Sequence, residues 1–172
     1  MSGHDFVVHA ARLRRSTGTR WEVVRSGVIA DLAVGDTAVP AEALATATVT
    51  LESVAGGVSV QGVVEAPWAG ACRRCLRPTA GVVEVAVREL YTGGGDGEET
   101  YPLVDQDVDL EPLVRDAVLL ELPVTSLCRP DCQGLCPTCG GDLNEGACGC
   151  SPPPDPRWAA LDVLRAEPGD AP

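Results

Sequence analysis

The sequence predicts an α+β fold: an antiparallel Val-rich sheet that could close into a barrel, with a buried helix and a C-terminal Cys-rich zinc module. Three observations carry that expectation. Hydrophobic residues make up 45% of the 172-residue chain, yet it holds only three Trp, two Tyr and one Phe. Its core must therefore be built from Val, Leu and Ala, and Val favours strands. Alternating apolar and polar residues recur between positions 44 and 88, the period of a half-buried strand. A single run of helical spacing follows near residue 110, and beyond it six cysteines crowd into residues 128–150.

Leu44 to Val54 and Val58 to Ala66 read as two strands joined at Ala55-Gly56-Gly57, where glycine supplies the positive φ of a tight hairpin. In the second run Val58, Val60, Val64 and Trp68 share one face, opposite Ser59, Gln61 and Glu65. Val83, Val85 and Val87 then alternate with Glu84 and Arg88. The Cys72–Cys75 turn thus joins two strands. Trp21 to Ile29, closed by Val34-Gly35-Asp36, and Phe6 to His9 read as further strands.

These signals divide the chain into a β-rich domain over 1–92 and a flexible, acidic, Gly-rich loop over 93–104. A helix packing on the sheet is expected within 105–127, a zinc-binding module over 128–150, and a Pro-rich spacer with a short helix over 151–172. Asp109 is the expected N-cap, with Leu110, Leu113, Val114, Ala117 and Val118 forming the buried stripe. Pro112 fits only because it falls in the first turn, and Pro123 ends the helix. In the tail, Asp155 and Pro156 open a helix carrying Trp158 and Leu161 to about Arg165.

No stretch reaches the roughly 20 apolar residues of a membrane helix, and Met1 to Ala10 lacks a secretory pattern. The expected location is the cytoplasm, with no membrane association. Cysteines there stay reduced, so eight of them in tight clusters point to metal rather than disulfides. The net charge of −12 disfavours bulk contact with nucleic acid and favours a basic protein as partner. Charge is also uneven. Arg12, Arg14, Arg15, Arg20 and Arg25 lie near the N-terminus, whereas residues 89–121 carry ten carboxylates against Arg115 alone.

Zinc is held by four thiolates in a tetrahedron, and two cysteines separated by two residues present both sulfurs from one turn. Cys72-Arg73-Arg74-Cys75 and Cys136-Pro137-Thr138-Cys139 have that spacing, and Cys128/Cys132 and Cys148/Cys150 supply two less regular pairs. One partition gives two Zn2+ ions, with Cys136, Cys139, Cys148 and Cys150 forming a local site and Cys72, Cys75, Cys128 and Cys132 tying the sheet to the module. The other places one ion on four of the six C-terminal cysteines and leaves Cys72 and Cys75 as a thiol pair. Residues 128–150 have almost no apolar core, so metal must supply their folding energy.

Arg73 and Arg74 could depress a thiol pKa for redox exchange, but the pair lies between two strands rather than at a helix start. Catalysis finds little support. The only histidines, His4 and His9, are near the N-terminus, and a four-thiolate site leaves no open position for water. Gly93 to Gly97 is flanked by carboxylates that repel phosphate. The chain therefore reads as a non-enzyme with no catalytic residues and no small-molecule substrate.

Cys72-Arg73-Arg74-Cys75-Leu76, Leu122-Pro123, the run Cys128-Arg129-Pro130-Asp131-Cys132-Gln133-Gly134-Leu135-Cys136-Pro137-Thr138-Cys139-Gly140-Gly141-Asp142-Leu143-Asn144, and Asp155-Pro156-Arg157-Trp158-Ala159-Ala160-Leu161 resemble the YceD family of large ribosomal RNA subunit accumulation proteins, in its Gram-positive, actinobacterial branch. The resemblance implies non-catalytic work in large ribosomal subunit biogenesis and 23S rRNA accumulation. Its expected partner is a basic ribosomal protein or large-subunit assembly intermediate, with rRNA contact through the Arg-rich N-terminal segment. A zinc-thiolate redox sensor or transcription-associated zinc adaptor is the alternative.

Overall fold

The structure is a computed structural model that describes residues 5–95, 99–151 and 157. The strands are β1 (Val7–His9), β2 (Arg20–Gly27), β3 (Ala33–Val34), β4 (Thr37–Ala38), β5 (Ala45–Val54), β6 (Gly57–Ala71), β7 (Pro78–Thr92), β8 (Tyr101–Val104) and β9 (Asp107–Asp109). Among the described residues one α-helix, α1, spans Glu111–Glu121, and a 3-10 turn covers Leu13–Arg15.

The centre of the sheet is the hairpin β6–β7, paired antiparallel from Gly57↔Thr92 to Ala71↔Pro78. Trp68 stands opposite Gly81. A Cβ on Gly81 would fall 2.9 Å from the indole, so glycine is what lets that ring lie across the strand. On its other side β6 pairs with β5, which continues to β2. Ala55 and Gly56 form the two-residue turn between β5 and β6, with Gly56 at φ 88°, as the Gly-Gly signal requires.

Two expectations about the sheet are corrected. Its ladders are antiparallel except for Tyr91↔Tyr101 and Thr92↔Pro102, where β8 runs parallel to β7. The sheet is also open rather than barrel-like: β1 pairs with β9 and β2 with β5, and no ladder joins β1 to β2. The Phe6 ring packs over Gly27 of β2.

Residues 101–104, expected as the end of a loop, form β8 and turn back through Asp105 and Gln106 into β9. Both turn residues have positive φ, 49° and 73°, the backbone of a tight hairpin turn without glycine. Asp109 belongs to β9 rather than capping α1 from the N-cap position, which Leu110 holds. The Asp109 carboxylate still accepts from the Glu111 amide at 3.0 Å, so it serves the helix start from one residue further out.

The core is apolar and aliphatic, as composition requires. Val49, Leu51, Val58, Val60 and Val64 of the sheet meet Leu113, Val114, Ala117 and Val118 of α1. Tyr91 is buried among them, donates to the Asp109 carbonyl at 2.9 Å and stacks on Tyr101 with ring centroids 5.2 Å apart. Burial holds its hydroxyl pKa well above the usual phenol range. The short tail helix expected from Asp155 lies outside the described residues.

Candidate metal centres

The structure gathers all eight cysteines into two groups of four. Cys72, Cys75, Cys128 and Cys132 form one, and Cys136, Cys139, Cys148 and Cys150 the other, each with its sulfurs within 4.8 Å of one another. Cys72 and Cys132 Sγ are 3.8 Å apart, and Cys75 and Cys128 Sγ 3.6 Å. No disulfide links them, since a disulfide would bring sulfurs to about 2.05 Å. Four sulfurs placed about 2.3 Å from a central ion in a tetrahedron stand about 3.8 Å apart. The donors therefore fit a metal in both groups, and the arrangement follows the two-site partition.

The first group is built on the end of the β6–β7 hairpin. The Cys72 amide donates to the Arg77 carbonyl and the Leu76 amide to the Cys72 carbonyl, both at 2.8 Å. This curls the turn so that both thiols face inward, with Leu76 at φ 61°. The second pair arrives after α1. The Arg73 amide donates to the Ser126 carbonyl, and the Ser126 hydroxyl donates to the Ala71 carbonyl at 2.9 Å. Arg74 Nη1 reaches the carbonyls of Pro130 and Cys132 at 3.3 and 2.8 Å. The Arg73 amide and the Arg74 guanidinium thus dock the module, while the Arg74 backbone amide helps to lower the Cys72 thiol pKa.

The second group lies further out. The Gly140 amide donates to the Cys136 carbonyl at 2.9 Å with Gly140 at φ 72°, the positive φ expected of the residue after such a pair. The Thr138 amide points at Cys136 Sγ, 3.4 Å away. Burial separates the centres: Cys72, Cys75 and Cys132 are buried and only Cys128 is exposed, whereas Cys139, Cys148 and Cys150 are exposed around buried Cys136.

Electrostatics follow from crowding four thiols together. Burial pushes the Cys72 thiol up, but backbone amides at Cys128, Cys75 and Arg74 outweigh it and leave the pKa lowered to about 6. Cys136 is lowered to about 6 by the amides of Cys139 and Thr138. Their neighbours move the other way. Burial and adjacent thiols push Cys128 up to about 12, and hydrogen bonds with Cys148 and Cys139 push Cys150 up to about 12. Each group thus resists forming four thiolates by itself, and a cation at its centre removes that resistance.

Asn144 and Asp142 support the ligand loops. Asn144 Nδ2 lies 3.5 Å from Cys132 Sγ, while its Oδ1 accepts from the Gln133 amide and Arg129. Asp142 accepts from the Asn144 amide and side chain and pairs with Arg77 at 2.7 Å. The Asn144 amide, with Arg77 beside it, holds the Asp142 carboxyl below the usual range. These bonds orient the ligand loops and join the outer module to the hairpin turn. A polar Asp-x-Asn beside Cys pairs, in a segment lacking a core, is the signal that could have found them.

Fold and site together define an α+β protein with two four-cysteine clusters that could each hold a metal ion, one where the β6–β7 hairpin meets the segment after α1 and one in the C-terminal module. Residues 60–165, which contain every cysteine, match the family described as Large ribosomal RNA subunit accumulation protein YceD. The chain belongs to that family. It is 39% identical to an uncharacterized protein of Mycobacterium tuberculosis (strain ATCC 25618 / H37Rv) over 93% of this chain and 85% of the relative. It is also similar to the chloroplastic Large ribosomal RNA subunit accumulation protein YCED homolog 1 of Zea mays, 40% identical over 30% of this chain and 18% of that protein. The Arabidopsis thaliana homolog of the same description is 36% identical over 29% and 16%. No solved structure matches the chain.

Proposed function

We propose that this chain is a non-catalytic factor in large ribosomal subunit biogenesis, acting in the cytoplasm by binding a basic ribosomal protein or assembly intermediate. The observation that carries this reading is the family match over residues 60–165, reinforced by plant relatives described as large ribosomal RNA subunit accumulation proteins. Its eight cysteines hold two Zn2+ ions. All-thiolate tetrahedral donor sets suit zinc, and such closed sites contribute folding energy and leave no position for a substrate. The net charge of −12 supports a basic protein as principal partner, with rRNA contact confined to the Arg-rich N-terminal segment. Among the described residues no helix is long and apolar enough to cross a membrane.

Purification of the tagged chain from its own host at low salt tests the reading. Large-subunit ribosomal proteins or precursor rRNA should be enriched over a mock purification, and the enrichment should fall as salt rises. Absence of both would overturn it.

A further inference from the structure

β7 is fifteen residues long and pairs with β6 along its whole length, but on its other side β8 meets it only at Tyr91 and Thr92. Among the described residues no strand occupies that edge from Pro78 to Leu90. An exposed edge of this length is ordinarily blunted by proline, a bulge, charged side chains or a covering element, and this one carries Glu84, Arg88 and Glu89. Beyond Pro78 this edge contains no proline.

A hollow of about 200 Å³ lies against the same edge, lined by every residue from Val85 to Glu89 together with Leu113, Asp116, Ala117 and Leu120. Side chains alternate faces along a strand. A hollow touching five consecutive strand residues therefore opens on the backbone edge, not on one face. It continues into a second hollow of about 420 Å³ that shares Glu89, Tyr101, Asp116 and Leu120 and adds Glu99. Leu120 is 87% exposed at the rim, an apolar side chain without a packing partner of its own. Glu89, Glu99 and Asp116 face Arg88 as the one cation in either lining.

We propose that the β7 edge and the groove beside α1 form a strand-addition site for an extended Lys/Arg-containing segment of a partner protein. The edge supplies main-chain hydrogen bonds, Leu120 and the aliphatic floor receive an apolar side chain, and Glu89, with Asp116 beyond the bond its Oδ2 accepts from the Tyr101 hydroxyl at 2.8 Å, receives the cations. The carboxylates disfavour a phosphate backbone here. This inference rests on the reading that the partner is a basic protein and adds where and in what conformation that partner binds.

The test uses the full-length, metal-loaded chain and, as probe, overlapping synthetic peptides covering the large-subunit ribosomal proteins of the host. Binding is read by fluorescence anisotropy and by hydrogen exchange. A basic peptide should bind and protect amides within residues 82–90, and Leu120→Lys and Asp116→Lys should each weaken it about tenfold. Leu120→Lys alters an exposed position, so its circular dichroism should match the parent. Binding without protection of 82–90, or unaffected by both substitutions, would overturn this site while leaving the basic-partner reading intact. Slow exchange, in the free chain, of the alternate amides of 82–90 that do not bond to β6 would overturn it too, by showing the edge already covered by the chain itself. If no peptide binds and the protein retains only precursor rRNA, the basic-partner reading fails and the site with it.

Discussion

Cys72 and Cys139 have the same chemistry but different surroundings, and substitution should separate them. Cys72 is fully buried where the hairpin, the Ser126 segment and Cys132 converge. Cys72→Ser should therefore lose one metal ion and also loosen the packing of the module on the sheet. Cys139 is exposed on the outer loop, so Cys139→Ser should lose one ion while β6 and β7 keep their protection from hydrogen exchange. Metal analysis beside exchange mass spectrometry checks both. Gly62 is a separate test of packing, because a Cβ there would fall 2.2 Å from the Thr48 carbonyl oxygen. Gly62→Val should cost about 2–3 kcal/mol in chemical denaturation. The cysteine pairs were visible in the sequence through spacing alone. Asp142, Asn144 and Ser126 were not, because a polar residue that orients a ligand loop has no periodicity to mark it.

At the scale of elements, α1 divides into a face that holds the fold and a face that does not. Val114 is completely buried, and Val114→Ala should destabilise by about 2 kcal/mol. Leu120 is 87% exposed, so Leu120→Ser should change stability by no more than about 0.5 kcal/mol. Thermal or urea unfolding distinguishes the two. The helix and the β5–β6–β7 meander were legible because their periods of 3.6 and 2 run over many residues. The β8–β9 hairpin was not. Its strands are short, and its turn uses Asp105 and Gln106 where a sequence reader looks for Asn-Gly or Gly-Gly. The parallel β7–β8 contact was also hidden, since the residues that pair do not themselves mark strand direction.

At the scale of the whole molecule, the proposed two-zinc reading links metal binding to folding. Thiolates bind the ion and thiols do not, so binding releases protons and affinity falls as pH drops. The Arg77–Asp142 contact weakens in the same direction. Asp142 has a lowered pKa, so its contribution is present above the ordinary carboxylate range and is lost as pH falls through the lowered value. Acidification or a strong chelator should therefore release the outer module first and leave the sheet folded, giving two transitions by hydrogen exchange rather than one. A single cooperative loss of both would show that the sheet cannot stand without the centres.

Native mass spectrometry of the chain purified gently from its host bears most directly on the claim that two four-thiolate centres organise this protein. The account predicts two zinc ions per chain, falling to one in Cys139→Ser. A chain carrying no metal, with its mass lowered by disulfide formation, would contradict it.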